Sequence, residues 1–145
     1  MQPRSYFAYG SNMNAMQMAN RCPNSEAVSV ATLPDWRFRI NTRGVATIVP
    51  EDAGAVHGIL WRVTSSDEAS LDRHEGVAAG HYQKMPLEIR LRDGTTCESF
   101  AYVAQVSAPG TPRPGYLESI IAAAVLNNFP LDYIAELRGW LKIDA

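Results

Sequence analysis

Apolar and polar residues alternate with a period of two along much of this chain, which predicts half-buried strands. The run 36–40 puts Trp36, Phe38 and Ile40 on one face and Arg37 and Arg39 on the other. Met85, Leu87, Ile89 and Leu91 alternate with Pro86, Glu88, Arg90 and Arg92. Asp93-Gly94 then predicts a hairpin turn into a returning strand over 96–106, with Phe100 and Tyr102 on one face. Pro86 places the early part of its strand at a sheet edge. Further strands are predicted around Tyr6, Phe7 and Tyr9, and over 27–33, 45–49 and 56–63, with breaks at Pro34-Asp35 and from Pro50 to Gly54. In the last of these His57 shares a face with Ile59, Trp61 and Val63 as a partly buried strand histidine, and Gly58 implies a bulge or a close backbone approach.

Helical spacing is confined to shorter stretches. Ser11, Asn12 and Asn14 can each cap a short helix over 15–19. Ser65, three residues before Glu68, reads as a capping box for a helix that runs to about His74, and Gly76 can end it. A Pro/Gly-rich loop over 107–115 is long enough to cover something, and Tyr116 opens the helix that follows. That helix carries Leu117, Ile120, Ile121, Ala124 and Val125 as one apolar stripe, and a last amphipathic helix covers 131–141. The sum is an α+β protein, a small mixed, mostly antiparallel β-barrel of about six to seven strands with helices packed outside.

Composition narrows the class. A chain of 145 residues, 46% apolar and 19% charged, predicts one soluble domain over 1–145 with a substantial core. Thirteen basic against 15 acidic residues leave a net charge of -2, so neither nucleic acid nor an anionic membrane is expected as a partner. No apolar run reaches the roughly 20 residues of a membrane span. Residues 1–5 lead straight into the first strand without a signal-peptide core, so a cytoplasmic protein, monomer or homodimer, is expected. Cys22 and Cys97 belong to no C-x-x-C pair and read as reduced thiols, one of them buried in a strand. His57, His74 and His81 lack metal-ligand spacing, and no metal or cofactor is expected.

The stretch with chemical promise is Tyr9-Gly10-Ser11-Asn12, a strand turning sharply into a helix. Gly10 permits the dihedrals of a tight turn, and amides at a helix start converge on a spot where an anion can sit. The stretch is neither G-x-G-x-x-G, a P-loop nor G-x-S-x-G, so it indicates neither a nucleotide nor a nucleophile elbow at Ser11. Glu75 falls at the C-terminal end of the helix that begins at Ser65. There the dipole opposes negative charge and raises a carboxyl pKa, which suits a group that carries a proton part of the time.

Three separated pieces, Tyr6-Phe7-Ala8-Tyr9-Gly10-Ser11-Asn12, Leu71-Asp72-Arg73-His74-Glu75-Gly76-Val77 and the Pro-x-Pro-x-Tyr of Pro112 to Tyr116, resemble the γ-glutamylcyclotransferase family in order and spacing. Gly44-Val45-Ala46-Thr47-Ile48 is similar to a fourth piece, and the resemblance runs from residue 6 to about residue 133. It implies a γ-glutamylcyclotransferase-like barrel that releases 5-oxoproline from small γ-glutamyl compounds. It also implies a catalytic role for Glu75 and a substrate pocket lined by Tyr9, Gly10, Ser11, Asn12, Tyr82 and Tyr116. The Tyr-Gly-Ser-Asn form resembles the branch acting on γ-glutamyl amino acids more than the branch with Tyr-Gly-Thr-Leu.

Such a reaction makes modest demands on a protein. The α-amino nitrogen of a γ-glutamyl group attacks its own γ-carbonyl, and effective molarities of well-placed groups reach roughly 10⁵ M or more. One base, Glu75, then suffices to take the ammonium proton and return it to the departing amine. Amides around Gly10-Ser11 would hold either the α-carboxylate or the oxyanion. The leaving amine is open: a γ-glutamylamine or a γ-glutamyl-protected metabolite would undergo the same chemistry. A non-catalytic small-molecule binding domain on this fold is the alternative from another class, against which Glu75 speaks. A serine hydrolase built on Ser11 lacks an elbow and an Asp partner. Arg37, Arg39 and Arg43 read as a solvated face, with a place near the pocket, attracting a carboxylate, as the alternative; His74 reads as a partner of the helix dipole and His81 as a loop histidine.

Overall fold

The computed structural model describes residues 3–141. Five strands, β1 (Arg4–Ala8), β2 (Glu26–Ile40), β3 (Ala46–Val63), β4 (Tyr82–Leu91) and β5 (Thr96–Ala104), close into a barrel in the order β1-β3-β2-β4-β5. All neighbours are antiparallel except β1 and β5, which close the barrel in parallel through Tyr6 and Phe100. Helices α1 (Ala15–Arg21), α2 (Ser65–His74), α3 (Tyr116–Leu126) and α4 (Leu131–Gly139) complete the fold. No helix among the described residues is long and apolar enough to cross a membrane.

The strand count corrects the expected six to seven, and the reason is local. The breaks at Pro34-Asp35 and Pro50 to Gly54 lie opposite each other: Pro34 pairs with Ala55 and Trp36 with Pro50. Asp35 steps out of line with φ 67°, and its carboxylate accepts the Ala53 N–H at 3.2 Å. Two apparent ends are therefore one bulge in a continuous hairpin. The returning strand stops at Ala104 rather than 106. Pro86 does sit where β4 lacks a second neighbour, because β4 meets β2 only at Arg90 and Leu91.

Alternation builds the core as expected. Phe38, Ile40, Ile48, Ile89, Phe100 and Tyr102 are all buried, each large apolar side chain contributing about 1.5–3 kcal/mol. Gly58 marks a close approach, since a Cβ there would collide with the Ala8 carbonyl and stand 2.8 Å from the Phe7 ring. His57 packs edge-on against Tyr133, centroids 4.6 Å apart, with Nδ1 3.2 Å from Thr32 Oγ1. Burial lowers its pKa, and it belongs to the packing under α4.

The helix ends differ in detail from the spacing rules. Asn14 is the cap of α1, accepting the Gln17 N–H at 2.9 Å, and the helix continues to Arg21. The capping box of α2 is Thr64 with Asp67, one residue before Ser65 and Glu68. In a Thr-Ser-Ser run, each hydroxyl is a plausible cap. On α3 Ala123 is buried and Val125 exposed, and α4 ends at Gly139. The buried thiol is Cys22, which caps α1; Cys97, in β5, is only half-buried.

Candidate active site

The end of α2 is built to present one carboxylate. Gly76 takes φ 65°, its N–H donates to Arg73 O at 3.1 Å, and the Val77 N–H donates to Asp72 O at 3.1 Å. This Schellman closure satisfies the last carbonyls and leaves Glu75 as the C-cap. The same turn is tied to the barrel through Asp72, which accepts from Tyr102 Oη at 2.7 Å and from Lys84 Nζ at 3.0 Å.

Across from Glu75, β1 ends and the chain enters a short 3-10 turn, Ser11–Met13. Met13 and Asn14 donate to the carbonyls of Gly10 and Ser11. The N–H groups of Ser11 and Asn12 have no backbone acceptor among the described residues. Gly10 holds φ −114° and ψ −138°, so the left-handed region is not what the site uses. Space is: a Cβ there would stand 3.6 Å from Tyr116 Oη and 3.5 Å from the Ala46 Cβ. Asn12 is buried and fixed by Arg21 and Gln17, which both donate to its Oδ1, so its Nδ2 donates to Tyr6 Oη at 3.0 Å. Gln17 also donates to Ser11 Oγ at 2.9 Å.

Five tyrosines complete the walls, and their bonds fix what each can offer a ligand. The Ala46 N–H donates to Tyr116 Oη at 2.9 Å, so the phenolic proton of Tyr116 is free to donate. Tyr82 Oη gives its proton to Ala46 O at 2.7 Å and offers lone pairs only. Tyr9 Oη donates to Tyr102 O and is likewise an acceptor. Tyr6, which accepts from Asn12, keeps a proton to give. The cavity therefore has donors and acceptors at defined places.

The cavity is narrow, about 30 Å³, and is lined by Tyr6, Tyr9, Gly10, Ser11, Asn12, Ala46, Glu75, Tyr82, Tyr102 and Tyr116. Glu75 is the one carboxylate among them. Burial raises its pKa from 4.5 to about 7, with Arg21 pulling it the other way. Burial also pushes Tyr116 up to about 12 and raises Tyr9, Tyr82 and Tyr102, so the phenols stay neutral.

All seven residues singled out from the sequence, Glu75, Tyr9, Gly10, Ser11, Asn12, Tyr82 and Tyr116, meet in this cavity. Tyr6, Ala46 and Tyr102 join them unannounced, although Tyr6 and Ala46 stand inside motifs already noted. Ser11 faces an amide of Gln17 rather than a base. Arg37 pairs with Glu51 and Arg39 donates to Ser107 O, both away from the cavity. Arg43 instead follows the alternative reading and lies near the pocket, lining an outer chamber with His74 and His81. The loop over 107–115 packs on the 41–44 turn at that mouth, with Arg113 N donating to Gly44 O at 3.0 Å. Among the described residues no three His, Cys, Asp or Glu side chains gather as a metal-ligand set.

Comparison with known proteins agrees with this architecture. Residues 55–137 match the model of the AIG2-like family. The chain is 33% identical to a mouse protein named γ-glutamylcyclotransferase, over 92% of this chain and 77% of that one. The human protein of the same name is 32% identical over the same shares. A solved structure of a γ-glutamyl cyclotransferase superposes with a TM-score of 0.89 at 27% identity, covering 99% of this chain and 91% of that one. The chain belongs to the AIG2-like family and, with these relatives, to the γ-glutamylcyclotransferase family.

Proposed function

We propose that the chain is a γ-glutamylcyclotransferase in which Glu75 is the general base and acid. The observation that carries the reading is one half-buried carboxylate, poised near neutrality, in a cavity otherwise walled by neutral hydrogen-bonding groups. At pH 7 such a carboxyl is close to half ionised, able both to accept a proton and to return it.

The reaction balances without water or a covalent enzyme intermediate. Glu75 takes one proton from the substrate's α-ammonium. The freed nitrogen attacks the γ-carbonyl carbon, forming a five-membered ring, and the bond from that carbon to the leaving nitrogen breaks. Of the three ammonium protons one stays on the lactam and two depart with the leaving amine, the first by way of Glu75. The free proton of Tyr116 and the amides of Ser11 and Asn12 are suited to the negative groups, the α-carboxylate and the developing oxyanion. The oxygens of Tyr9 and Tyr82 are suited to the ammonium.

The test is to incubate the purified protein with γ-glutamyl dipeptides and γ-glutamylamines and to detect 5-oxoproline by mass spectrometry. Release from at least one compound is expected. A chain that binds these compounds and converts none is a binding domain on this fold.

A further inference from the structure

Beyond the tyrosine-walled cavity lies a larger chamber of about 340 Å³, open to solvent, and the two share Ser11, Glu75, Tyr82 and Tyr116. Four arginines line the outer chamber: Arg21 from α1, Arg43 from the turn after β2, Arg73 from the last turn of α2 and Arg113 from the loop before α3. Among the described residues none of the four pairs with a carboxylate; the ion pairs there use Arg4, Arg37 and Lys84. Four like charges converging on one opening repel one another, in a protein whose overall charge is -2.

Local structure accounts for part of this. Arg73 sits in the last turn of α2, where the dipole favours a cation. Arg21 Nη1 holds Asn12, and Arg113 Nε donates to Arg43 O at 2.9 Å. Each of those bonds uses one N–H of a guanidinium and none neutralises its charge. Arg43 makes no side-chain hydrogen bond among the described residues. Since Glu75 borders both spaces, a γ-glutamyl group bound inside puts the scissile bond at the boundary and the leaving half among the arginines.

Resting on the cyclotransferase reading, we propose that the outer chamber receives the leaving half of the substrate and selects one carrying two carboxylates, as an acidic amino acid or acidic peptide does. Guanidinium forks match carboxylates in geometry as well as charge, and four of them exceed what a single α-carboxylate needs.

The experiment uses three near-isosteric compounds, γ-glutamylglutamate, γ-glutamylglutamine and γ-glutamylglutaminamide, whose leaving halves carry two, one and no carboxylates. The full chain is assayed for kcat/KM, and Glu75→Gln for Kd by calorimetry. Each carboxylate is expected to improve both quantities about tenfold, with the steps shrinking as salt is raised. Arg43→Gln and Arg113→Gln are expected to compress the ratio between first and last compound at least about fivefold. Turnover with flat ratios, or ratios indifferent to both substitutions, overturns the proposal and leaves the cyclotransferase reading intact. Ordered Kd values without 5-oxoproline from any compound do the reverse.

Discussion

Tyr116 accepts the main-chain N–H of Ala46 at 2.9 Å, across 70 residues of sequence, while the carbonyl of the same residue is taken by Tyr82 at 2.7 Å. Both ends of one peptide segment at the start of β3 are thus held by the phenols that wall the cavity. The same two side chains thus position this segment and line the cavity.

The two contacts are not equal in energy. Tyr116→Phe leaves a buried N–H without its acceptor, which costs about 1–3 kcal/mol. Tyr82→Phe removes a donor from a carbonyl, a loss that structures tolerate better, at about 1 kcal/mol. Urea denaturation is expected to rank Tyr116→Phe below Tyr82→Phe, and both below the parent; equal midpoints for all three contradict the assignment.

Gly76 and Gly10 border the same site for different reasons. At φ 65° a side chain on Gly76 is strained, and its Cβ would stand 2.6 Å from the His81 ring. Gly76→Ala is expected to cost about 1–2 kcal/mol and, by disturbing the C-cap, to lower kcat as well.

Gly10→Ala meets only ordinary contacts, so its stability is expected to stay within about 0.5 kcal/mol. The new methyl projects toward Tyr116 and Ala46, inside the cavity, and kcat/KM is expected to fall about tenfold. Thermal melts alongside steady-state kinetics separate the two glycines.

Burial of Glu75 has a pH signature in stability. Its folded pKa, about 7, lies above the ordinary 4.5, so the folded state binds the proton more tightly. The contribution is fully present below about pH 4.5 and is lost as pH rises through 7, about 3 kcal/mol across that window. Glu75→Gln is neutral at every pH and escapes the loss. Its melting temperature is expected to gain on the parent between pH 5 and pH 8, and a constant offset would refute the raised pKa of the carboxyl.

Much of this site was legible because its residues cluster in short motifs at element ends. Glu75 before Gly76 marks a helix end, and Gly10-Ser11-Asn12 after a strand marks a turn; both are local signals. The tyrosines were harder. Tyr102 looks like any inward strand aromatic, and only barrel closure between β1 and β5 brings it to Asp72 and Tyr9. The merging of four predicted strands into two escaped the pattern because Pro34-Asp35 and Pro50 to Gly54 each look like a chain end. Their cancellation as one bulge depends on register between β2 and β3. The place of Arg43 is hidden from the pattern for the same reason, since the loop over 107–115 closes beside it from a distant part of the chain.

The most direct test of the central claim is 5-oxoproline release by the parent and by Glu75→Gln, on a substrate both proteins bind. Equal folding, comparable Kd and a loss of turnover of at least about 10²-fold in Glu75→Gln are expected, together with a kcat/KM limb in the parent near pH 7. A folded Glu75→Gln protein that turns over at the parental rate would contradict the account.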